Sequence, residues 1–201
     1  MRGRDIKHNE YKWSGLYCIC TFPSAHIDIE DYPAIENWFI GASWSDEVPT
    51  GAGHLKLEQT GVKHTVGGRT FKSRKKTNNK WFETQDQIAY MDDFLQQRFI
   101  WTAVNSEYRF LALEEEIYYN NSIFHGISDK ANGIVSVMNS SIMQYYLSLL
   151  STNDYQYGGK EMMGQIPIPL TIDNLDYTEQ EIRKLYHLTA EEMSEISSVV
   201  K

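Results

Sequence analysis

Positive charge is scarce in this sequence. Its 201 residues hold 19 Lys and Arg against 27 Asp and Glu, for a formal net charge of -8. Indiscriminate coating of nucleic acid depends on spread positive charge and counterion release, so this balance excludes that class and leaves room only for a local basic surface. Cysteine is nearly absent as well. Cys18 and Cys20 stand two apart in an apolar run and read as small buried hydrophobes of a reducing compartment, since no further Cys or His follows at ligand spacing. No apolar run approaches the roughly 18 residues of a membrane span. The opening MRGRDIKHNEYKW is too polar for a signal peptide, so a cytoplasmic protein without a membrane partner is expected. Internal repeats and low-complexity tracts are missing too, which excludes solenoids and disordered linkers.

Apolar and aromatic mass is present, at 41% and 13% of residues, enough for one good core with little room for a second full domain. Residues 1–12 lack apolar periodicity and are expected to be an arm or the end of a linker. Leu16–Phe22 (LYCICTF) has the length and composition of a buried strand. HIDIEDY alternates like a half-exposed strand. Pro33 sits where a helix can start, with Ala34, Ile35, Trp38 and Phe39 at helical spacing. Gly41 to Gly68 has the composition of a long connection, in which Leu55 and Leu57 place a short strand or helix.

Beyond a helical turn at Tyr90 to Leu95, the runs 98–104, 108–113, 117–119 and 122–127 are expected to form an antiparallel meander, because the links are too short for crossovers. Lys130 to Leu150 reads as a helix or helix pair whose second half Ser140 caps. The prolines of IPIPL hold residues 166–170 extended. Two capping boxes, Thr178 with Glu181 and Thr189 with Glu192, announce short helices near 179–187 and 190–200. The expected fold class is α+β: an antiparallel meander sheet packed with helices and ending in short C-terminal helices. Residues 13–170 form its principal domain and 171–201 a helical tail.

The scarce positive charge is concentrated. Seven of the 19 Lys and Arg fall between Lys63 and Lys80, with no Asp or Glu among them. Lys63, Arg69, Lys72, Arg74, Lys75, Lys76 and Lys80 are suited to phosphates. Asn78 and Asn79 are suited, with Arg69 and Arg74, to base edges, and Trp81 and Phe82 either anchor the segment to a core or stack on a base. Nucleic acid is therefore the expected partner. A search for catalytic chemistry returns little. Gly51 and Gly53 form half of a cofactor-binding GxGxxG, but Lys56 occupies the third glycine's place. Glu10, Tyr11 and Lys12, with Asp5 nearby, offer the E-x-K of a metal-dependent nuclease, a pattern that composition alone produces. The six His lie far apart, and Glu114, Glu115 and Glu116 make an acidic turn. No catalytic, cofactor or metal residue is expected in this chain. A stand-alone nuclease and a protein-protein interaction domain remain as alternatives.

The order of the segments GRDIKHNEYKWSGLYCICTFPS, IDIEDYPAIENW, LEQTG, RKKTNNKWFETQDQIAY, RFIWTAV, RFLALEEEIYYNNSIF, VMNSSIMQYYLSLL and QIPIP resembles the TaqI-like C-terminal target-recognition domain of adenine-specific DNA methyltransferases of type II, often type IIG, restriction-modification systems. The likeness runs from Arg2 to about Pro169. It implies a sequence-recognition domain that grips duplex DNA, while a separate N-terminal methyltransferase domain binds S-adenosylmethionine and flips the adenine. It also implies that Arg2 to Lys7 join that catalytic domain and that Lys63 to Trp81 face DNA. The five prolines are never adjacent, so the Pro-Pro tetrapeptide of such methyltransferases is not in this chain. Where the family commonly shows Lys-Pro-Lys leading into the strand after the basic loop, this chain has Gln96, Gln97 and Arg98.

Overall fold

The computed structural model describes residues 1–7, 10–102, 104–105, 109–150, 156–157 and 159–200. The chain forms two compact units: Met1–Tyr17 with Tyr90–Lys201, and, inserted between these segments, Cys18–Ala89. This partition differs from the linear one expected, because it follows contacts between residues distant in sequence.

The larger unit begins with a 3-10 turn, Gly3–Asp5, followed by β1 (Ile6–Lys7) and β2 (Glu10–Tyr11), an antiparallel ribbon. Residues 1–12 pack into this unit. Ile6, only 2% exposed, clusters with Ile100, Leu111, Leu113 and Ile123, and the Asn120 N–H donates to the Met1 carbonyl at 3.2 Å.

The stretch that leads into the inserted unit overturns an expectation. Leu16–Phe22 forms no strand; Leu16, Tyr17 and Ile19 are exposed. Apolar composition suits a strand only where a partner edge supplies the backbone hydrogen bonds, and here the Thr21 carbonyl instead accepts from the Thr84 N–H at 2.9 Å. HIDIEDY is likewise not a strand. Its Ile29–Asp31 portion is a 3-10 turn, started by the Asp28 carboxylate accepting from the Glu30 N–H. Helix α1 (Pro33–Gly41) starts on its proline as expected. Gly41 to Gly68 is no plain connection, for it holds α2 (Gly53–Leu57) and the first arm of a hairpin, β3 (Lys63–Val66) with β4 (Arg69–Lys72). Gly67 and Gly68 turn the hairpin with φ of 56° and 77°, the paired positive values of a two-residue type I′ turn. Phe71 packs with Ala42, Val48 and Ala52 to form the core of this unit.

Back in the larger unit, a 3-10 turn at Met91–Leu95 precedes β5 (Arg98–Thr102). The expected strand at 98–104 is seen as β5 up to Thr102, residue 103 lies outside the described residues, and β6 (Val104–Asn105) pairs with β9 (Gln156–Tyr157). The central sheet is completed by β7 (Phe110–Leu113) and β8 (Ile123–Ile127). It is antiparallel as expected, but its order is β7-β5-β8, with the first strand in the middle rather than at one edge. Residues 114–122 carry the chain across, and Ile117 to Tyr119 form no strand.

Alternation along the strands builds two faces. Phe99 and Trp101 join Phe110 and Phe124 against α3 (Ala131–Asn139) and α4 (Ser141–Leu150), while Ile100, Leu111, Leu113 and Ile123 meet Ile6 on the other face. Phe99 lies across Gly126, its cross-strand partner, where a Cβ would collide with the ring. Ser140 caps α4 as expected, its Oγ accepting from the Met143 N–H at 3.2 Å. Beyond β9 come α5 (Lys160–Met163), the irregular IPIPL segment, α6 (Glu179–Leu185) and α7 (Ala190–Val199). Both capping boxes are present, and Ile172, Ile182 and Ile196 anchor residues 171–200 to the helical face of the core. The fold is α+β. Among the described residues no helix is long and apolar enough to cross a membrane.

Candidate nucleic-acid interface

All nine residues expected to meet DNA lie in the inserted unit, on the β3–β4 hairpin and the loop after it. The hairpin register places Lys63 opposite Lys72, His64 opposite Phe71, Thr65 opposite Thr70 and Val66 opposite Arg69. Because side chains alternate, Phe71, His64 and Val66 turn toward the unit's core and Lys63, Thr65, Thr70 and Lys72 form the other face, where all four are exposed. The two threonine hydroxyls hydrogen bond at 3.1 Å. Lys63 facing Lys72 is a like-charged cross-strand pair, which costs the hairpin stability.

The ribbon continues irregularly past these strands and is strongly braced. The Ser73 N–H donates to Val62 O, the Gly61 N–H to Arg74 O and the Thr77 N–H to Gln59 O. Gln59 is buried and stitches the loop from inside: its Nε2 donates to the Lys80 and Glu83 carbonyls and its Oε1 accepts from the Thr77 hydroxyl. Glu58 accepts from His64 at 2.6 Å and from Thr60 at 2.7 Å. Loop 73–83 thus has a defined shape before any ligand arrives.

The bracing divides the predicted residues. Arg74 is half-buried and committed to the fold: its Nε donates to Leu57 O at 2.6 Å and its Nη2 to Trp81 O at 2.7 Å, and burial lowers its pKa. Asn79 spends its side-chain N–H groups on the Thr84 and Gln85 carbonyls. Lys80 donates to Ile27 O at 3.0 Å and lies over the Phe82 ring, and Arg69 reaches Asp46 O at 2.8 Å. Lys63, Lys72, Lys75, Lys76 and Asn78 are exposed. Trp81 packs edge-on against Phe39 and Phe82, as an anchor does.

Residue-by-residue reading missed Thr65 and Thr70, which share the lysine face. The signal was there: Gly67-Gly68 between two four-residue arms is a hairpin signature. Gly53 is explained by packing, since a Cβ there would collide with the Phe39 carbonyl where α2 meets α1. Asp5 and Glu10, the candidate nuclease acids, part ways as well. Asp5 is taken up by Arg2 and Glu10 faces solvent. In the larger unit Arg98 is fully buried and donates to the carbonyls of Phe94, Gln96, Glu115 and Ile117.

No known protein family's sequence profile matches the chain, and no curated protein matches it significantly.

Proposed function

We propose that this chain is the DNA sequence-recognition module of a type II restriction-modification enzyme of the IIG kind or of an adenine-specific DNA methyltransferase, acting in the cytoplasm. In this reading it grips duplex DNA and positions the target adenine, and bond-making belongs to a separate N-terminal methyltransferase domain that holds S-adenosylmethionine. The observation that carries the reading is the outer face of the β3–β4 hairpin, where Lys63 and Lys72 stand opposed beside Thr65 and Thr70, with exposed Lys75 and Lys76 following on the same ribbon. Opposed cations are costly by themselves and favourable beside phosphates. A two-stranded ribbon is also narrow enough to enter the major groove, where hydroxyls and the exposed Asn78 amide can meet base edges.

The test is a fluorescence-anisotropy titration of duplex DNA at several salt concentrations. Replacing Lys63, Lys75 and Lys76 by Glu weakens binding and flattens the salt dependence by about 0.9 in log K against log salt for each phosphate contact removed. Equal affinity and equal slope in the variant would overturn the reading. The exposed run Trp13, Leu16 and Tyr17 favours a second reading, a protein-interaction module, under which no saturable DNA binding is seen at any salt.

A further inference from the structure

Four cations of the larger unit converge on one cavity. Arg2 and Arg4 come from the N-terminal turn, Lys7 from β1 and Arg109 from the approach to β7, and with Asn121 and Ser122 they line a cavity of about 810 Å³. Among the described residues no Asp or Glu lines it, in a chain whose net charge is -8. The adjacent Asp5 offsets only Arg2, accepting from its backbone N–H at 2.9 Å and its guanidinium at 3.3 Å. Those hydrogen bonds hold the Asp5 carboxyl below the ordinary range and keep it ionised. Arg4 and Lys7 are exposed and, among the described residues, have no ion-pair partner.

The wall that carries these cations is held in place. The Gly3 N–H donates to Ser122 Oγ at 3.2 Å, Ser122 Oγ donates to Asn120 Oδ1 at 2.6 Å, and the Asn120 N–H donates to Met1 O at 3.2 Å. Gathering like charge on a fixed wall raises the local potential and selects for anions. The volume falls within the range of about 300–1,000 Å³ typical of small-molecule sites and exceeds what a lone phosphate occupies. We infer that this cavity binds a phosphate-bearing ligand, with Arg4 and Lys7 on the phosphate and Asn121 and Ser122 on the polar group attached to it. The inference does not rest on the hairpin's proposed role, because its residues belong to the other unit. The phosphate comes either from a free nucleoside phosphate or from a polynucleotide backbone, and both present the same chemistry to these side chains.

The test is isothermal titration of the 201-residue chain with inorganic pyrophosphate, adenosine monophosphate and a short DNA duplex, each at low and high salt. The expected result is saturable binding that Arg4→Ala with Lys7→Ala weakens about tenfold or more, as loss of charge-assisted hydrogen bonds does. Thermal melting is expected to be unchanged, and Arg4→Gln with Lys7→Gln provides a second variant of closer shape. If pyrophosphate or the nucleotide behaves this way, the source is a free phosphate ester; if only the duplex does, it is a backbone. The inference is overturned if none of the three binds, or if all bind wild type and both variants alike. The hairpin reading is scored separately by Lys63→Ala with Lys72→Ala on the duplex, so either can fail without the other.

Discussion

The start of β5 and the β3–β4 hairpin treat positive charge in opposite ways. Arg98 is fully buried and, among the described residues, has no carboxylate partner. Its guanidinium is compensated by the dipoles of four backbone carbonyls and by the faces of Phe94 and Tyr119. Burial around it is deep enough to push the Tyr119 hydroxyl up to about 12, although Arg98 itself pulls the other way. Lys63 and Lys72 stand exposed and opposed, and they weaken the element that carries them. A cation bound by carbonyls is part of the fold, whereas one held exposed beside its like is available to an anion. Arg74 shows that the two kinds lie within a few residues of each other, since it belongs to the basic cluster by sequence and to the first kind by its bonds to Leu57 and Trp81.

The largest effect is expected at Arg98. Arg98→Met removes all four carbonyl hydrogen bonds of a fully buried guanidinium, and urea denaturation is expected to show a loss of about 3 kcal/mol or more. Arg98→Lys recovers only part of this, because an ammonium lacks the planar fork that reaches several acceptors at once. A loss below about 1 kcal/mol would break the comparison at its buried end. Next comes Arg74→Ala, which removes two carbonyl contacts of the inserted unit and costs about 1–3 kcal/mol. Any loss of DNA binding in that variant should track unfolding and disappear at temperatures where the unit remains folded.

Lys72→Glu separates stability from binding. Placed opposite Lys63 it converts a repulsive cross-strand pair into an attractive one, so the hairpin gains roughly 0.2–1 kcal/mol while duplex affinity falls. Parallel movement of the two quantities in melting and anisotropy would break the comparison at its exposed end. The smallest effect belongs to the C-terminal caps. Hydrogen bonds from the backbone and hydroxyls of Thr178 and Thr189 hold Glu181 and Glu192 below the ordinary glutamate range. A carboxylate whose folded pKa is depressed contributes stability above its unfolded pKa, and that contribution is lost as pH falls through the folded one. The melting-temperature difference between wild type and Glu181→Gln is therefore expected to be full at pH 7 and to shrink toward zero as the solution is acidified.

Legibility in the sequence followed the range of the interactions. The capping residues Thr178, Thr189 and Ser140, the proline start of α1, the helix pair at 131–150 and the strand at 98–102 were all readable, because each signal lies within about one turn or one strand of the structure it specifies. Leu16–Phe22 was misread because its apolar residues say nothing about whether an edge exists for them to pair with. The central placing of β5 was hidden because the link from β7 to β8 is consistent with either side of the sheet until packing chooses one. At the candidate interface, the basic cluster was visible as composition. Which of its members are bound to carbonyls was not.

By itself, then, the sequence determined the class of the fold, the positions of its well-capped helices and the concentration of cations between Lys63 and Lys80, all set by neighbours a few residues apart. Tertiary structure alone decided that residues 18–89 form a unit inserted within another and that Arg98 and Arg74 serve carbonyls while Lys63 and Lys72 face solvent. It also gathered Arg2, Arg4, Lys7 and Arg109 around one cavity. The physical reason is that the fate of a charge depends on which dipoles and which solvent surround it, and those are supplied by parts of the chain tens of residues away.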